Sequence, residues 1–198
     1  MRILGLHKDP WHNTGAAIID KQTKAEPRLV YLAEERLDRV KDSRAFPSLS
    51  TAACMRALGI GRPEDFDLVV LDHIVAPDLR KDFHKTPCRT DTFLNALPPE
   101  KIHIINHHLA HAAAVFYSSP YKEAAILIVD GRGSGKETQS LFIGDDSGIR
   151  LIDRTTTIGI GLLYAAVTQA IGFGLLQEGK TMGLAPYGAA INKKILDI

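Results

Sequence analysis

The chain has 198 residues, 45% of them hydrophobic and 24% charged, with 24 Lys plus Arg against 23 Asp plus Glu for a formal charge of +1. This size and apolar content suit one large or two small globular domains and exclude a disordered tail. The balanced charge offers no electrostatic reason to bind nucleic acid or an anionic membrane. The cysteines, Cys54 and Cys88, are too few for a disulfide framework or a cysteine zinc cage, and they read as the reduced thiols of a cytoplasmic protein.

Arg2–His7 is a short apolar run and reads as a strand. It is too brief for a signal peptide and leads directly into Lys8 and Asp9. Gly15–Asp20 is a second apolar run, after a turn built from Pro10, Asn13 and Thr14. Residues 28–35 alternate around Leu29, Tyr31 and Ala33 as a third strand, after a polar link that ends in Pro27. Three consecutive strands with short links predict an antiparallel meander. The charged run from Ala33 to Lys41 reads as a solvated face. Ser48–Leu58 reads as a helix, with Ser48 or Ser50 as its N-cap and Gly59 as its stop. Strands over 66–72 and 101–106 and an alanine-rich helix over 107–117 follow, with a polar stretch over 78–92 between them.

The pattern then restarts. Strands are expected over 124–130, 139–144 and 149–154, with a turn at 145–148, followed by a helix over 161–171. Residues 155–177 carry no charge and are long enough to cross a bilayer. Glycines at 159, 161, 172 and 174, with Thr168 and Gln169 between them, favour a buried helix with broken ends. Three strands and then a helix thus occur twice. This predicts an α/β fold of the actin-like, sugar-kinase-like ATPase type, built from duplicated ribonuclease H-like lobes. Residues 1–119 would form the first lobe. Residues 120–198 would begin a second lobe that is cut short, as in an amino-terminal part of a longer enzyme.

The sharpest motif is Asn106-His107-His108-Leu109-Ala110-His111. His107 and His111 are four apart and stack on one helical face, where neutral imidazoles can share a metal ion. A lone pair at this spacing is more often two hydrogen-bonded helix histidines. Two features move this one toward a metal: the helix opens at a strand end, where ligands gather in α/β folds, and Asp130 closes the next strand. With His108 after His107 and no Glu base between the pair, a zinc protease is not the reading.

Asp130-Gly131-Arg132-Gly133-Ser134-Gly135 could let backbone N–H groups approach a phosphate, with Asp130 holding a bridging metal. It lacks the Gly-Lys-Ser/Thr of a Walker loop, and glycine after a strand is usually only a turn. Arg132 and Lys136 read as solvated. His12, in the first turn, is either a general base near neutral pH or a surface histidine beside Trp11. Residues 178–188, Glu178-Gly179-Lys180-Thr181-Met182-Gly183-Leu184-Ala185-Pro186-Tyr187-Gly188, suit a tight loop near a ligand, or a plain connection, better than a helix or strand.

Taken together, these motifs resemble the O-carbamoyltransferases of the nodulation-factor and aminoglycoside-tailoring type. The amino-terminal domain of that family is similar to the tRNA threonylcarbamoyl-transfer ATPases. The resemblance is carried by His12 with the small-residue turn through Ala17, by Glu34-Glu35-Arg36 with Arg39 and Lys41, and by Phe46-Pro47. It continues through His107-His108-Leu109-Ala110-His111, Val129-Asp130-Gly131, Gly161-Leu162-Leu163-Tyr164 and Glu178-Gly179-Lys180 through Tyr187-Gly188. The chain departs from the family at Asn13, usually Asp, and after Lys41, where a histidine is usual.

The resemblance implies that a separate domain, absent here, makes carbamoyl-adenylate from carbamoyl phosphate and ATP. The actin-like part then passes the carbamoyl group to a hydroxyl of a sugar or other small acceptor. It implies a divalent metal, usually iron, on His107, His111 and Asp130, with a further acidic ligand beyond Ile198. Lys41 matches a position near the carbamoyl-adenylate and His12 the base on the acceptor. Gly131, Arg132, Gly133 and Lys180 are the nucleotide-side candidates. No nucleic-acid or membrane partner is expected; an incomplete lobe with free strand edges would suit a homodimer. The alternatives are an actin-like small-molecule kinase, which would not need the His107/His111 pair, and a non-catalytic metal- or nucleotide-binding module.

Overall fold

The computed structural model of the chain describes residues 1–8, 13–22, 26–72 and 97–189. β1 (Arg2–His7), β2 (Gly15–Asp20) and β3 (Arg28–Ala33) form the expected antiparallel meander. β4 (Leu68–Asp72) pairs parallel with the free side of β1, and β5 (Ile102–Ile105) pairs parallel with β4. The strand order is β3-β2-β1-β4-β5. Alternation places Leu4, Leu6, Ala16, Ile18, Val69 and Leu71 on one buried face. They pack against Cys54, Met55 and Leu58 of the second helix, and against Ile60 and Phe66.

The third strand stops at Ala33, two residues short of the expected end, and a short helix, α1 (Glu35–Asp38), rises from the charged run. That run is not simply solvated, because Glu34 is buried. Its carboxylate accepts the amides of Leu49 (2.9 Å) and Ser50 (2.8 Å). These are free N–H groups at the start of α2 (Ser48–Leu58), so the cap comes from Glu34 and not from Ser48 or Ser50. Ser50 and Thr51 instead donate their hydroxyls to the Pro47 carbonyl. Gly59 ends the helix at φ 69°, a left-handed conformation that costs glycine nothing.

α3 (His107–Ser118) starts where β5 ends and packs against a second sheet. That sheet is antiparallel, β6 (Ala124–Val129), β7 (Gln139–Asp145) and β8 (Gly148–Thr155), in the order β6-β7-β8. Ala112 and Phe116 of α3 meet Ile126, Ile128 and Phe142 in a second core. Asn106 caps α3, its side-chain oxygen accepting the Leu109 amide at 3.1 Å.

α4 (Ile160–Ala170) lies within the uncharged stretch but is not the buried helix expected there. Thr168 is its one buried residue, while Ile160, Leu163 and Val167 are exposed. No helix among the described residues is long and apolar enough to cross a membrane. Residues 178–188 also differ from the expected loop. They form α5 (Glu178–Leu184) and a 3₁₀ turn, Ala185–Tyr187. Glycines at 179 and 183 each cost a helix about 1 kcal/mol. The Thr168 and Thr181 hydroxyls, 2.8 Å apart, tie α5 to α4 and help offset that penalty.

Candidate metal centre

The carboxyl ends of β1, β4 and β5 lie level with one another, since His7 pairs with Asp72 and Asp72 with Ile105. α3 leaves from this edge, so its first residue, His107, faces the end of the sheet. β6 of the second sheet ends beside it and delivers Asp130. His107 Nε2 lies 2.9 Å from Asp130 Oδ2 and 3.0 Å from His111 Nε2, and His111 Nε2 lies 3.7 Å from Asp130 Oδ2. On its other side, His107 Nδ1 meets the Asp72 carboxylate at 3.1 and 3.2 Å, and His7 Nδ1 meets Asp72 Oδ2 at 3.0 Å.

His107 is buried, while His111 is half exposed. Burial works against a charged His107 ring. Hydrogen bonds and charge from Asp130 and Asp72 outweigh it and push His107 up to about 9. For Asp72, burial is again the largest opposing influence, but His107 and His7 hold its carboxyl well below the usual carboxylate range. Burial opposes ionisation of Asp130 too, and His107 and the Gly131 amide still hold it low. Burial and the His107 charge push His111 down, so it is the neutral partner.

The His107 ring is therefore an imidazolium whose Nε2 proton sits where the Nε2 of His111 and the carboxylate of Asp130 converge. A divalent cation fits in place of that proton. Two imidazole nitrogens and a carboxylate form a suitable donor set, and bonds of about 2.1 Å at tetrahedral angles put donor atoms roughly 3.4 Å apart. The observed separations of 2.9, 3.0 and 3.7 Å bracket that spacing. The exposed side of His111 and Asp130 leaves room for a further ligand.

The glycine loop after Asp130 is bound up within the chain. Gly131 N–H donates to Asp130 Oδ1 at 2.6 Å and Gly133 N–H to the Glu137 carbonyl at 2.6 Å. Glycine at 133 answers to packing: a β-carbon there would lie 2.8 Å from the buried His108 ring and 2.9 Å from Glu137. Glu137 is itself buried and takes the Asn106 side-chain amide at 2.5 Å. Arg132 is exposed. Lys180 is exposed, donates to Gln177 at 2.9 Å and lies over the Phe173 ring. Lys41 is exposed, in a turn whose next residues reach the sheet edge through Ser43, which accepts the Thr14 amide. Beside that turn is a cleft of about 460 Å³ lined by Asn13, Tyr31, Leu32, Ala33, Glu35 and Arg36. His12, as well as Cys88 and the polar stretch 78–92, lies outside the described residues.

Asp72 and His7 were not among the candidates from sequence. The available signal was that Asp72 ends a buried strand just as Asp130 does. Nothing local says that the two strand ends meet at one histidine.

The chain is 28% identical over 193 residues to nodulation protein NolNO of Sinorhizobium fredii, covering 88% of this chain and 28% of that protein. It is 29% identical to the uncharacterized protein sll1178 of Synechocystis, covering 90% of this chain and 33% of that one. Nodulation protein NolO of Bradyrhizobium diazoefficiens is 32% identical over 85 residues, 42% of this chain and 15% of that protein. The chain thus spans about a third or less of the length of these relatives. Among solved structures, the Aquifex aeolicus member of the Ppx/GppA family aligns with a TM-score of 0.34 at 14% identity, over 91% of this chain and 58% of that one. The family described as "Carbamoyltransferase N-terminus" matches residues 78–198, more than half of the sequence, and the chain belongs to that family.

Proposed function

We propose that this chain is the amino-terminal part of a carbamoyltransferase and carries the metal centre of its transfer site. The observation behind this reading is the meeting of His107, His111 and Asp130 at one point in a chain of the carbamoyltransferase N-terminus family. The two sheets are read as the two ribonuclease H-like lobes of an actin-like ATPase, dividing near residue 120, with the second lobe continuing beyond this chain. Exposed apolar side chains on and beside α4 and α5, among them Ile158, Leu163, Met182 and Tyr187, then pack against the rest of the protein.

In this reading the donor is carbamoyl-adenylate, made elsewhere in the protein from carbamoyl phosphate and ATP, and the acceptor is a hydroxyl of a sugar or other small molecule. NolNO and NolO are nodulation proteins by name, and in this reading the setting here is the biosynthetic modification of a small molecule. An alcohol becomes a competent nucleophile only as a base takes its proton, and His12 fills that role. The acceptor oxygen then bonds to the carbamoyl carbon, the carbon–oxygen bond to adenylate breaks, and AMP departs as the stable leaving group. The exposed cations Lys41, Arg132 and Lys180 supply positive charge for the phosphate, and the Gly131–Gly133 turn, whose amides at 131 and 133 are bonded within the chain, shapes the site beside Asp130. His107, His111 and Asp130 hold a divalent cation, iron in this reading, which when bound supplies Lewis-acid stabilisation of phosphate or developing oxyanion charge.

The test uses the longer protein that contains this chain, supplied with carbamoyl phosphate, ATP and candidate hydroxyl acceptors, with products followed by mass. A carbamoylated acceptor is expected, and its formation should fail in the His107→Ala and His111→Ala variants. Residues 1–198 alone should turn nothing over. A phosphorylated acceptor would instead establish the kinase reading, and turnover by residues 1–198 alone would overturn the assignment of the adenylate-forming step to the rest of the protein.

A further inference from the structure

Asp72 lies between two histidines at the level sheet edge, and its position explains more than the charge of the cluster. A neutral imidazole carries its proton on one nitrogen and offers a lone pair on the other, and only the lone pair binds a cation. His107 has carboxylates on both sides: Asp72 at Nδ1 and Asp130 at Nε2. Each side also carries a second imidazole: His111 Nε2 lies 3.0 Å from His107 Nε2, whereas the His7 nitrogen on the Nδ1 side, within 4.8 Å of a His107 nitrogen, is already bonded to the Asp72 carboxylate. The Nδ1 side is the less exposed of the two. Asp72 sits on β4 between β1 and β5, its side chain is 15% exposed, and its Oδ2 already accepts from His7.

We infer that Asp72 is the positioning residue of the metal centre: it holds His107 by the Nδ1 proton and thereby commits Nε2 to the cation shared with His111 and Asp130. This rests on the metal reading of His107, His111 and Asp130. The carboxylate–imidazole contact sets the ring angle, selects the tautomer and raises the basicity of the ligating nitrogen. It also balances charge. Within this chain, Asp72 together with Asp130 brings the carboxylate charge around His107 to two, matching a divalent cation. His7 completes the arrangement by bonding the same Oδ2 that His107 meets, so that Asp72 cannot swing away from the His107 ring without giving up a second hydrogen bond.

The experiment uses the 198-residue chain with Co²⁺ as the probe, reading affinity by competition titration and coordination by the visible d–d spectrum. The His107→Ala and His111→Ala variants should lose binding; if they retain it, or if the wild-type chain binds no Co²⁺, the metal reading fails and this inference falls with it. If the wild-type chain binds one equivalent through those histidines, Asp72→Asn should weaken binding roughly 10–100-fold and alter the d–d bands, while thermal unfolding of the metal-free variant remains cooperative. Unchanged affinity and spectrum would overturn the role of Asp72 and leave the metal reading standing. Binding of two equivalents, the second lost in Asp72→Asn and His7→Ala, would also overturn it, since Asp72 would then itself be a ligand. A readout that needs no substitution is the long-range ¹H–¹⁵N spectrum of the Zn²⁺-loaded chain. His107 should keep its proton on Nδ1 and bind through Nε2; the opposite pattern would refute the inference.

Discussion

Gly161 packs directly on the backbone of Asp130: a β-carbon at 161 would lie 2.5 Å from the Asp130 carbonyl oxygen and 2.8 Å from the Gly131 nitrogen. The start of α4 is thus seated against the strand end that carries one of the three converging groups. Neither side of this contact is a flexible side chain, so an added methyl must move the backbone. Gly161→Ala should destabilise the chain by roughly 1–3 kcal/mol, as overpacking does. Because the part that moves includes Asp130, Co²⁺ affinity should fall by about 10-fold or more. Urea melts and metal titrations of the same variant check both.

The pH dependence follows from His107. Its folded-state value of about 9 stands above the ordinary 6.5, so its contribution to stability is fully present below about 6.5 and is lost as pH rises through about 9. Asp72 and Asp130 are held below their ordinary 3.8, so their contributions are present above that value and disappear as pH falls through the lowered ones. The metal-free cluster therefore stabilises the fold most between these limits. Unfolding midpoints of the metal-free chain should decline between about pH 6.5 and about pH 9.5 relative to His107→Gln. Metal affinity should run the other way. His107 must surrender its Nε2 proton to a cation, so binding strengthens toward pH 9 and releases close to one proton per metal at neutral pH. Calorimetry in buffers of different ionisation enthalpy measures that release.

Glu34 lies in one of the sequence motifs that carry the resemblance to carbamoyltransferases, yet its observed work is structural. It satisfies the Leu49 and Ser50 amides from a buried position. Glu34→Ala should cost about 1–3 kcal/mol, the range expected for a lost cap and unpaired buried groups, with Co²⁺ affinity of the folded chain unchanged. A loss of metal binding without loss of stability would show that Glu34 acts on the centre instead.

If the proposed function holds, His12→Ala in the full carbamoyltransferase should slow carbamoyl transfer by about 10²–10⁴-fold, the usual contribution of a general base. Nucleotide binding should change far less. Parallel measurement of kcat and of nucleotide affinity distinguishes a base from a binding residue.

The bounds of β1, β2 and α2 coincide with those expected from the sequence, because short-range signals define them: apolar runs between turns for the strands, and a helix stop at Gly59. The turn at 145–148 was legible for the same reason. The His107/His111 pair was legible too, since four residues along a helix place side chains on one face. Other features depended on long-range contacts. The cap on α2 comes from Glu34, and the helical state of 178–184 is supported by a contact to Thr168. The uncharged stretch around α4 reads as buried from hydropathy alone, but burial requires a partner surface, and α4 is covered only in part.

Spacing alone was enough to put His107 and His111 together, and the motifs by themselves pointed to carbamoyltransferases. Spacing could not show that His107 is held from both sides. That depends on parallel pairing of β1 with β4, which aligns His7 with Asp72 across 65 positions, and on α3 carrying His107 to the end of a second sheet where Asp130 waits. Helical periodicity is local and survives in one dimension. Register between distant strands is set by which faces can be buried together, and only the folded chain decides it.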